Sequence, residues 1–446
     1  MCKRGLTLVL VLATSALLRC WAQQASASSQ GVVDSGGSST AQSNNSWAPS
    51  SAQPISLGLG GTQQVDISLA ASQVLTSNPI GNVNSAQGWY PGYSFGGTLQ
   101  LSLDGASSQT RLNYTGNGIG YPDRTPSLLM YQNVGFSHSF RVGRWSFTAV
   151  DSFNYSPNSP FGGYGYGLPT NIGNAGQPVL SPQNLPNQSI LTPYVNSFYN
   201  TVMGQVQYGI TPRSSWTASA SYGLLRFPDS SFSNTNQVNV SAGYNYGLSA
   251  NDSIAITDTF SHFQYTDFSS SFWSNTVQLG YSHKLNARLA LQLAGGPEIR
   301  NTTNLGLAQQ SIGFAGNGSL LYSKARTSLA LTGFAGTTGG SGVLYGATTQ
   351  SGQFSVSQRI SEPWITGVTL GYAHNSGLVQ NQQSYNSAFV SPNMRRAITR
   401  NLGVTFNYTY QRQLSSSGCV GPSCATFSGS TFSFGVDYKF RPIRLE

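Results

Sequence analysis

The amino-acid sequence predicts an all-β fold: an antiparallel up-and-down transmembrane β-barrel of about 18 strands, with about 16 as the alternative. Three observations predict this fold. Apolar and polar residues alternate with a period of two, the polar set is almost uncharged, and short connections alternate with long ones. Only 8% of the residues are charged, whereas an ordinary globular domain has about 25%. Because soluble surfaces depend on charge, this composition favours a lipid surrounding.

The N-terminal segment has the layout of a secretion signal. A basic pair at residues 3–4 precedes an apolar run at 6–18, which is shorter than the roughly 20 residues that a membrane-spanning helix needs. We therefore predict a cleaved signal peptide at 1–22. Residues 23–54 are rich in Ser, Gln, Gly and Ala and predict a flexible leader, and the barrel is expected to occupy 55–446.

The alternation divides the chain into two faces. Successive side chains of a strand point to opposite sides, so each segment presents an apolar face and a polar one. The clearest apolar sets are Val238, Val240, Tyr244 and Tyr246; Val277, Leu279 and Tyr281; Leu289, Leu291 and Leu293; and Val404, Phe406, Tyr408 and Tyr410. The opposite face carries Gly, Ser, Asn, Gln and Thr. A soluble sandwich would place Lys and Glu there, so this face predicts a barrel interior.

Connection lengths support the same architecture. Short turns, such as 211–215 and 249–252, alternate with longer polar loops, such as 228–235, 301–309 and 338–347. Outer membrane barrels have short periplasmic turns and long external loops, with both chain ends in the periplasm. The number of strands is then even, and the segment 55–70 supplies the first strand.

The last alternating segment carries a resemblance to a known class of proteins. Its apolar members are Phe432, Phe434, Val436, Tyr438 and Phe440. The segment resembles the closing strand of bacterial outer membrane β-barrel proteins, and the architecture is porin-like over roughly residues 55–440. The resemblance implies the outer membrane of a Gram-negative bacterium, contact with its lipids, insertion by the barrel-assembly machinery, and a homotrimer as one assembly state. The chain departs from the pattern by continuing past Phe440 to Glu446.

A barrel of this size leaves an aqueous channel, so we expect passive diffusion of small hydrophilic solutes. The connector at 156–193 holds seven of the 20 prolines and no charged residue. As the third outer loop, it resembles the loop that folds inward and narrows porin channels. Phe161, Tyr164 and Tyr166 would then form a neutral constriction suited to uncharged solutes such as sugars. The alternative is a rigid surface loop over the mouth.

Charged residues near the predicted periplasmic ends are the other pore candidates. The alternation points Lys284, Arg359, Asp437 and Lys439 inward, where a basic vestibule would give weak anion preference. The alternative for the cations at these ends is contact with phosphate headgroups. One further prediction is a disulfide between Cys419 and Cys424 that pins a loop.

Other functional classes have less support in the sequence. Asp258 and His262 share a strand face about 13 Å apart, too far for a hydrogen bond. His374 and Ser376 are the other candidates for a hydrolase embedded in the barrel, and no enzyme, cofactor or metal site is expected. Positive charge does not gather on one face, so nucleic acid is not implied. Adhesion or a structural role remains an alternative, carried by the Ser-, Asn- and Gly-rich loops.

Overall fold

The computed structural model describes residues 63–77, 88–122, 128–157, 190, 195–266, 270–304, 307–378, 383–416 and 426–445. These residues form one sheet of 18 long antiparallel strands and a short nineteenth segment. No helix in this part of the chain is long and apolar enough to cross a bilayer. Several sequence predictions lie outside the described residues: the signal peptide, the leader, Phe161, Tyr164, Tyr166, Cys419 and Cys424.

The strands follow the chain around the barrel. They are β1 (Gln63–Thr76), β2 (Tyr90–Asp104), β3 (Ser108–Gly120), β4 (Leu128–Val142), β5 (Trp145–Ser156), β6 (Ser197–Thr211), β7 (Ser214–Arg226), β8 (Thr235–Gly247), β9 (Asp252–Tyr265), β10 (Ser270–Asn286), β11 (Leu289–Asn304), β12 (Leu307–Lys324), β13 (Thr327–Thr338), β14 (Ala347–Arg359), β15 (Trp364–Gly377), β16 (Ser384–Ala397), β17 (Leu402–Ser415), β18 (Phe427–Lys439) and β19 (Ile443–Arg444). From β1 to β18 each strand pairs with the next, β1 also pairs with β18, and β19 pairs with β1. The predicted closed barrel of 18 strands is confirmed.

The tail after the closing strand returns to the first strand. β19 pairs with Gln64 and Val65 of β1, and the Phe440 amide donates to the Ile67 carbonyl at 2.9 Å. The residues beyond the aromatic end of β18 therefore lengthen the seam at which the barrel closes.

The outer face of the barrel is apolar. Phe95, Leu279, Phe314 and Phe434 are 58–66% exposed. At the end of the barrel that carries the short turns, called the turn end here, Trp145 lies opposite Tyr208 in register, with ring centroids 4.6 Å apart. Closure pairs the backbone of every neighbouring strand, which is what a lipid surrounding requires.

Connections at the turn end are short, and three of them have only two residues each: 143–144, 212–213 and 325–326. The opposite end, called the loop end, carries the longer loops. The prediction of a long loop at 301–309 is wrong. β11 continues to Asn304 and β12 begins at Leu307, so only two residues connect the two strands. Polar composition indicated a loop, but Asn and Thr also fit a ladder in which both strands extend.

Near the loop end, the inward face of the strands becomes apolar as well. The inward residues form clusters in which every member is less than one-tenth exposed: Val74, Ile119, Tyr121, Leu129 and Tyr131; Tyr199, Leu225 and Phe227; and Phe263, Tyr265 and Phe272. Apolar side chains on both faces mean that this half of the lumen is packed.

Candidate functional site

Two pairs of opposite charges lie in the lumen near the turn end. Arg395 of β16 binds Asp437 of β18 through two hydrogen bonds, Nη2 to Oδ2 at 2.7 Å and Nε to Oδ1 at 3.2 Å. Gly403 of β17 lies between them, and a Cβ there would lie 2.6 Å from Asp437 Oδ1. The pair therefore spans the intervening strand because that strand has a glycine at this point.

A second pair bridges the closing seam. Lys439 Nζ of β18 lies 3.3 Å from Asp66 Oδ1 of β1. Asp437 and Lys439 were predicted as pore-lining residues, but their partners Arg395 and Asp66 were not. The signal that could have found them is an opposite charge on the inward set of the next strand, as for Asp66, or of the next strand but one, as for Arg395.

The two remaining predicted pore cations lie apart from these pairs in the sheet. Lys284 is near the turn end of β10, and Arg359 is the last residue of β14. Both belong to the inward set, since they alternate with the outward residues Leu285 and Ile360, which are 49% and 59% exposed.

Uncharged polar side chains share the inward face with the apolar clusters, as where Gln237 lies opposite Phe263 and Asn154 opposite Tyr199 in register. We call this set the amide belt: Ser94, Asn117, Asn154, Thr201, Gln237, Asn239, Thr276, Thr349, Asn375, Ser387 and Gln413, all buried. Hydrogen bonds link its members across strands, for example Thr349 Oγ1 to Asn375 Oδ1 at 2.8 Å and Ser387 Oγ to Gln413 Oε1 at 2.9 Å. The belt offers donors and acceptors without charge.

Three asparagines on adjacent strands have unused donors. In the described part of the chain, the Nδ2 atoms of Asn117, Asn133 and Asn154 have no hydrogen-bond partner. Asn133 faces Asn154 directly in register, and Asn117 is its diagonal neighbour, so the three side chains lie within about 5–8 Å. Tyr131 and Tyr199 occupy neighbouring inward positions. These three residues, the amide triad, form a neutral donor array beside two phenol rings.

One hairpin leaves the wall and enters the lumen. The pairing of β12 with β13 stops at Gly316 and Ala335, whereas β13 and β14 stay paired as far as Thr338 and Ala347. Residues 336–348 are called the inward hairpin. Its tip reaches strands that lie beyond β10, β11 and β12 in the sheet, because Gly339 O accepts from Tyr265 Oη at 3.0 Å.

The amino-acid sequence of the tip permits this course. Gly340, Ser341, Gly342 and Gly346 all have positive φ, from 58° to 81°, a conformation that glycine adopts without steric cost. A side chain at Gly342 would also overlap the Phe227 ring. Ser233 N donates to Gly342 O at 2.9 Å, which fixes the tip to the loop after β7.

That receiving loop is itself ordered by a short turn. Asp229 Oδ1 accepts from Ser231 N at 2.9 Å, and this hydrogen bond holds the pKa of Asp229 below its ordinary value. The same hydrogen bond keeps the turn closed.

The sequence analysis predicted a constriction in a different loop, and this stays a prediction. It predicted the loop at 156–193, of which the structure describes only 156–157 and Ile190. Ile190 packs against Leu344 of the inward hairpin, Ala347 and Tyr385. The sequence analysis predicted that 338–347 is an ordinary outer loop. The three glycines within residues 339–342 and the inward apolar residues Phe263 and Phe272 were the available signals.

The hydrolase candidates are not brought together. Asp258 accepts from Asn275 at 2.9 Å, and it shares the outward face of β9 with the 40% exposed Phe260. His374 Nδ1 lies 2.8 Å from Asn386 Oδ1. Within the described ranges, no group of three or more His, Cys, Asp or Glu could hold a metal ion.

The closed antiparallel sheet, its apolar outer face and its polar lumen together decide the class of fold. The chain folds as a porin-like outer membrane barrel. No family model matches it, and no curated protein matches it. Among solved structures, Pseudomonas aeruginosa OccK2 (OpdF) is 11% identical with a TM-score of 0.45, covering 86% of this chain and 100% of that one.

Two further structures show how broad this likeness is. Pseudomonas aeruginosa OpdQ is 10% identical with a TM-score of 0.44, covering 85% of this chain and 98% of that one. The ferric-catecholate import receptor Fiu of E. coli K12 is 9% identical with a TM-score of 0.41, covering 87% and 82%. OccK2 (OpdF) has also been solved in complex with glucuronate. At these identities, the function of this barrel must be argued from its own residues.

Proposed function

We propose that this barrel is a passive diffusion channel for small hydrophilic solutes, with uncharged solutes such as sugars as the preferred class. The observation that carries the proposal is the uncharged polar inward face, where half-buried groups such as Ser219 with Ser241 and Asn407 with Ser433 stand beside the buried amide belt. Sugars are recognised by hydroxyl and amide groups together with aromatic faces, and specificity in such sites comes from a few polar groups.

The paired charges support the preference for neutral solutes. Arg395 with Asp437, and Lys439 with Asp66, are close opposite charges, so each pair has little net field in the lumen. Lys284 and Arg359 remain as the candidates for a basic vestibule, and they would add a weak preference for anions.

The unused donors of the amide triad are buried, and we propose that the triad binds a solute when the side chains that cover it move aside. An unused buried donor costs about 1–3 kcal/mol, and three adjacent ones can be satisfied together by the oxygens of one polyol. Phe161, Tyr164 and Tyr166 of the long loop remain predicted constriction residues, and Cys419 with Cys424 remains a predicted disulfide. Passage of the chain to the outer membrane by a signal peptide at 1–22, and a homotrimer, remain predictions too.

Single-channel recording in a planar bilayer tests the proposal. We expect stepwise openings of about a nanosiemens or less, as for a bore narrowed by its own loops. Swelling of liposomes that contain the barrel should be faster with a neutral monosaccharide than with a charged solute of similar size.

A barrel that stays silent in bilayers and leaves swelling unchanged contradicts the channel. The second candidate function is then a non-conducting barrel with an adhesive or structural role. The packed loop end and the inward hairpin favour that alternative over a hydrolase, whose candidate residues lie apart.

A further inference from the structure

A charged pair connects the wall of the barrel to the inward hairpin. Glu298 and Arg300 lie on the inward face of β11, and Arg300 Nε is 3.4 Å from Glu298 Oε2. Arg300 Nη1 donates to Thr348 Oγ1 of the inward hairpin at 2.8 Å. Arg300 therefore contacts a fixed strand with one part of its guanidinium and the hairpin with another.

The pair lies at the point where the hairpin leaves the wall. Beyond Ala335, β13 no longer pairs with β12, and Arg300 crosses the inward side of β12 at Gly313. A Cβ at Gly313 would overlap Arg300 Nη2, so the glycine provides the room for the guanidinium. The side chain fills the gap that the departing hairpin opens.

The hairpin also encloses the carboxylate. Glu298 is fully buried, and it lies close to Thr337 of the inward hairpin and Ser274 of β10. A buried carboxylate is tolerated when it is paired and becomes costly when its partner is removed. If Arg300 were lost, hydration of Glu298 would require the hairpin to move away.

We propose that Glu298 and Arg300 form a latch that holds the inward hairpin in the lumen and thereby sets the open bore of the channel. This inference rests on the proposed channel function for its effect on conductance. The position of the hairpin is inferred from contacts alone, so the latch and the channel function can be tested separately.

The position of the hairpin is measured by the reactivity of its tip. Ser341 is 4% exposed, so Ser341→Cys, with Cys419→Ser and Cys424→Ser, gives a buried thiol for a hydrophilic maleimide. We expect Arg300→Met to raise the labelling rate by about tenfold or more, as for a local opening that becomes more populated. Arg395→Met removes the same side chain from a lumenal pair away from the hairpin, and it should leave the rate unchanged.

A double variant separates a latch from simple packing. Glu298→Gln with Arg300→Met removes both charges, so no buried carboxylate is left unpaired, and labelling should be slower than in Arg300→Met. It should stay faster than in the wild type, because the hydrogen bond from Arg300 to Thr348 is lost in both variants. Conductance should rise in Arg300→Met and fall back in the double variant.

Heat-modifiable migration on gels checks that the wild type and Arg300→Met are both folded. If the two folded proteins are labelled at the same rate, the latch is overturned, whatever their conductance. Fast labelling of Arg300→Met in a barrel that never conducts supports the latch and contradicts the channel.

Discussion

The two halves of the lumen follow one alternating pattern but differ in what the inward face carries. At the turn end, inward side chains are charged or small, and the charges meet in pairs such as Arg395 with Asp437. At the loop end, inward side chains such as Phe263 and Phe272 are apolar and fully packed. The inward face near the turn end, called the turn half, is polar and suits contact with water. The inward face near the loop end, called the loop half, is apolar and packs against the inward hairpin.

This difference shows how a wide barrel can be narrowed without losing its strands. A strand that is apolar on both faces needs protein on both sides or lipid on one and protein on the other. At the loop end, the outward face is available to lipid and the inward face to the hairpin tip. The apolar inward residues therefore mark where loops fold into the lumen.

The largest expected effect comes from a substitution that disrupts packing of the inward hairpin in the loop half. Gly342→Val places a β-branched residue at φ +74° and overlaps the Phe227 ring. We expect the docked hairpin to lose about 3 kcal/mol relative to the undocked one, read from maleimide labelling of Ser341→Cys. Gly333→Val is the control, because a Cβ there meets only Ser351 O at 3.8 Å. Equal labelling of the two variants would contradict the packed loop half.

The next effect concerns the turn half. Asp437→Asn leaves Arg395 without its carboxylate, and we expect the free energy of unfolding to fall by about 2 kcal/mol, as for a hydrogen bond to a charged group. Urea titration of the barrel in detergent measures it. Combining Asp437→Asn with Arg395→Gln should cost less than the two single changes together. Strict additivity would show that the pair does not couple.

A smaller effect is expected where the two halves meet. Asn154→Leu removes an unused buried donor, so the free energy of unfolding should stay constant or rise by about 1 kcal/mol. The same change should weaken any block of ion current by a neutral sugar, because the amide triad loses a donor. Ser241→Ala, which removes a hydroxyl bonded to Ser219 on the inward face, is the comparison. A sugar block that survives Asn154→Leu excludes the triad as the contact site.

The smallest expected effect comes from removing inward cations in the turn half. Lys284→Gln with Arg359→Gln should shift the reversal potential in asymmetric salt toward cations by a few millivolts, since salt screens charges that face water. Lys439→Gln should shift it less per charge removed, because Asp66 already offsets that charge. A wild-type channel that already prefers cations would contradict the basic vestibule.

The parts of the site differ in how far local pattern could predict them. Lys439 and Asp437 were placed on the inward set because their own strand alternates. Their partners Asp66 and Arg395 depend on which strands become neighbours at closure, which alternation alone does not show. The amide triad needs the register of β3, β4 and β5, since a one-residue slip would turn every side chain to the other face.

The sequence by itself determined the strands, the two faces and the closed barrel, because these follow from a period of two and from the absence of charge. It did not determine the inward hairpin. That course depends on contacts such as Tyr265 with Gly339, 74 residues apart in the chain. Such contacts form only when the closed barrel places β9 across from β13. The tertiary structure alone therefore showed that this hairpin enters the lumen.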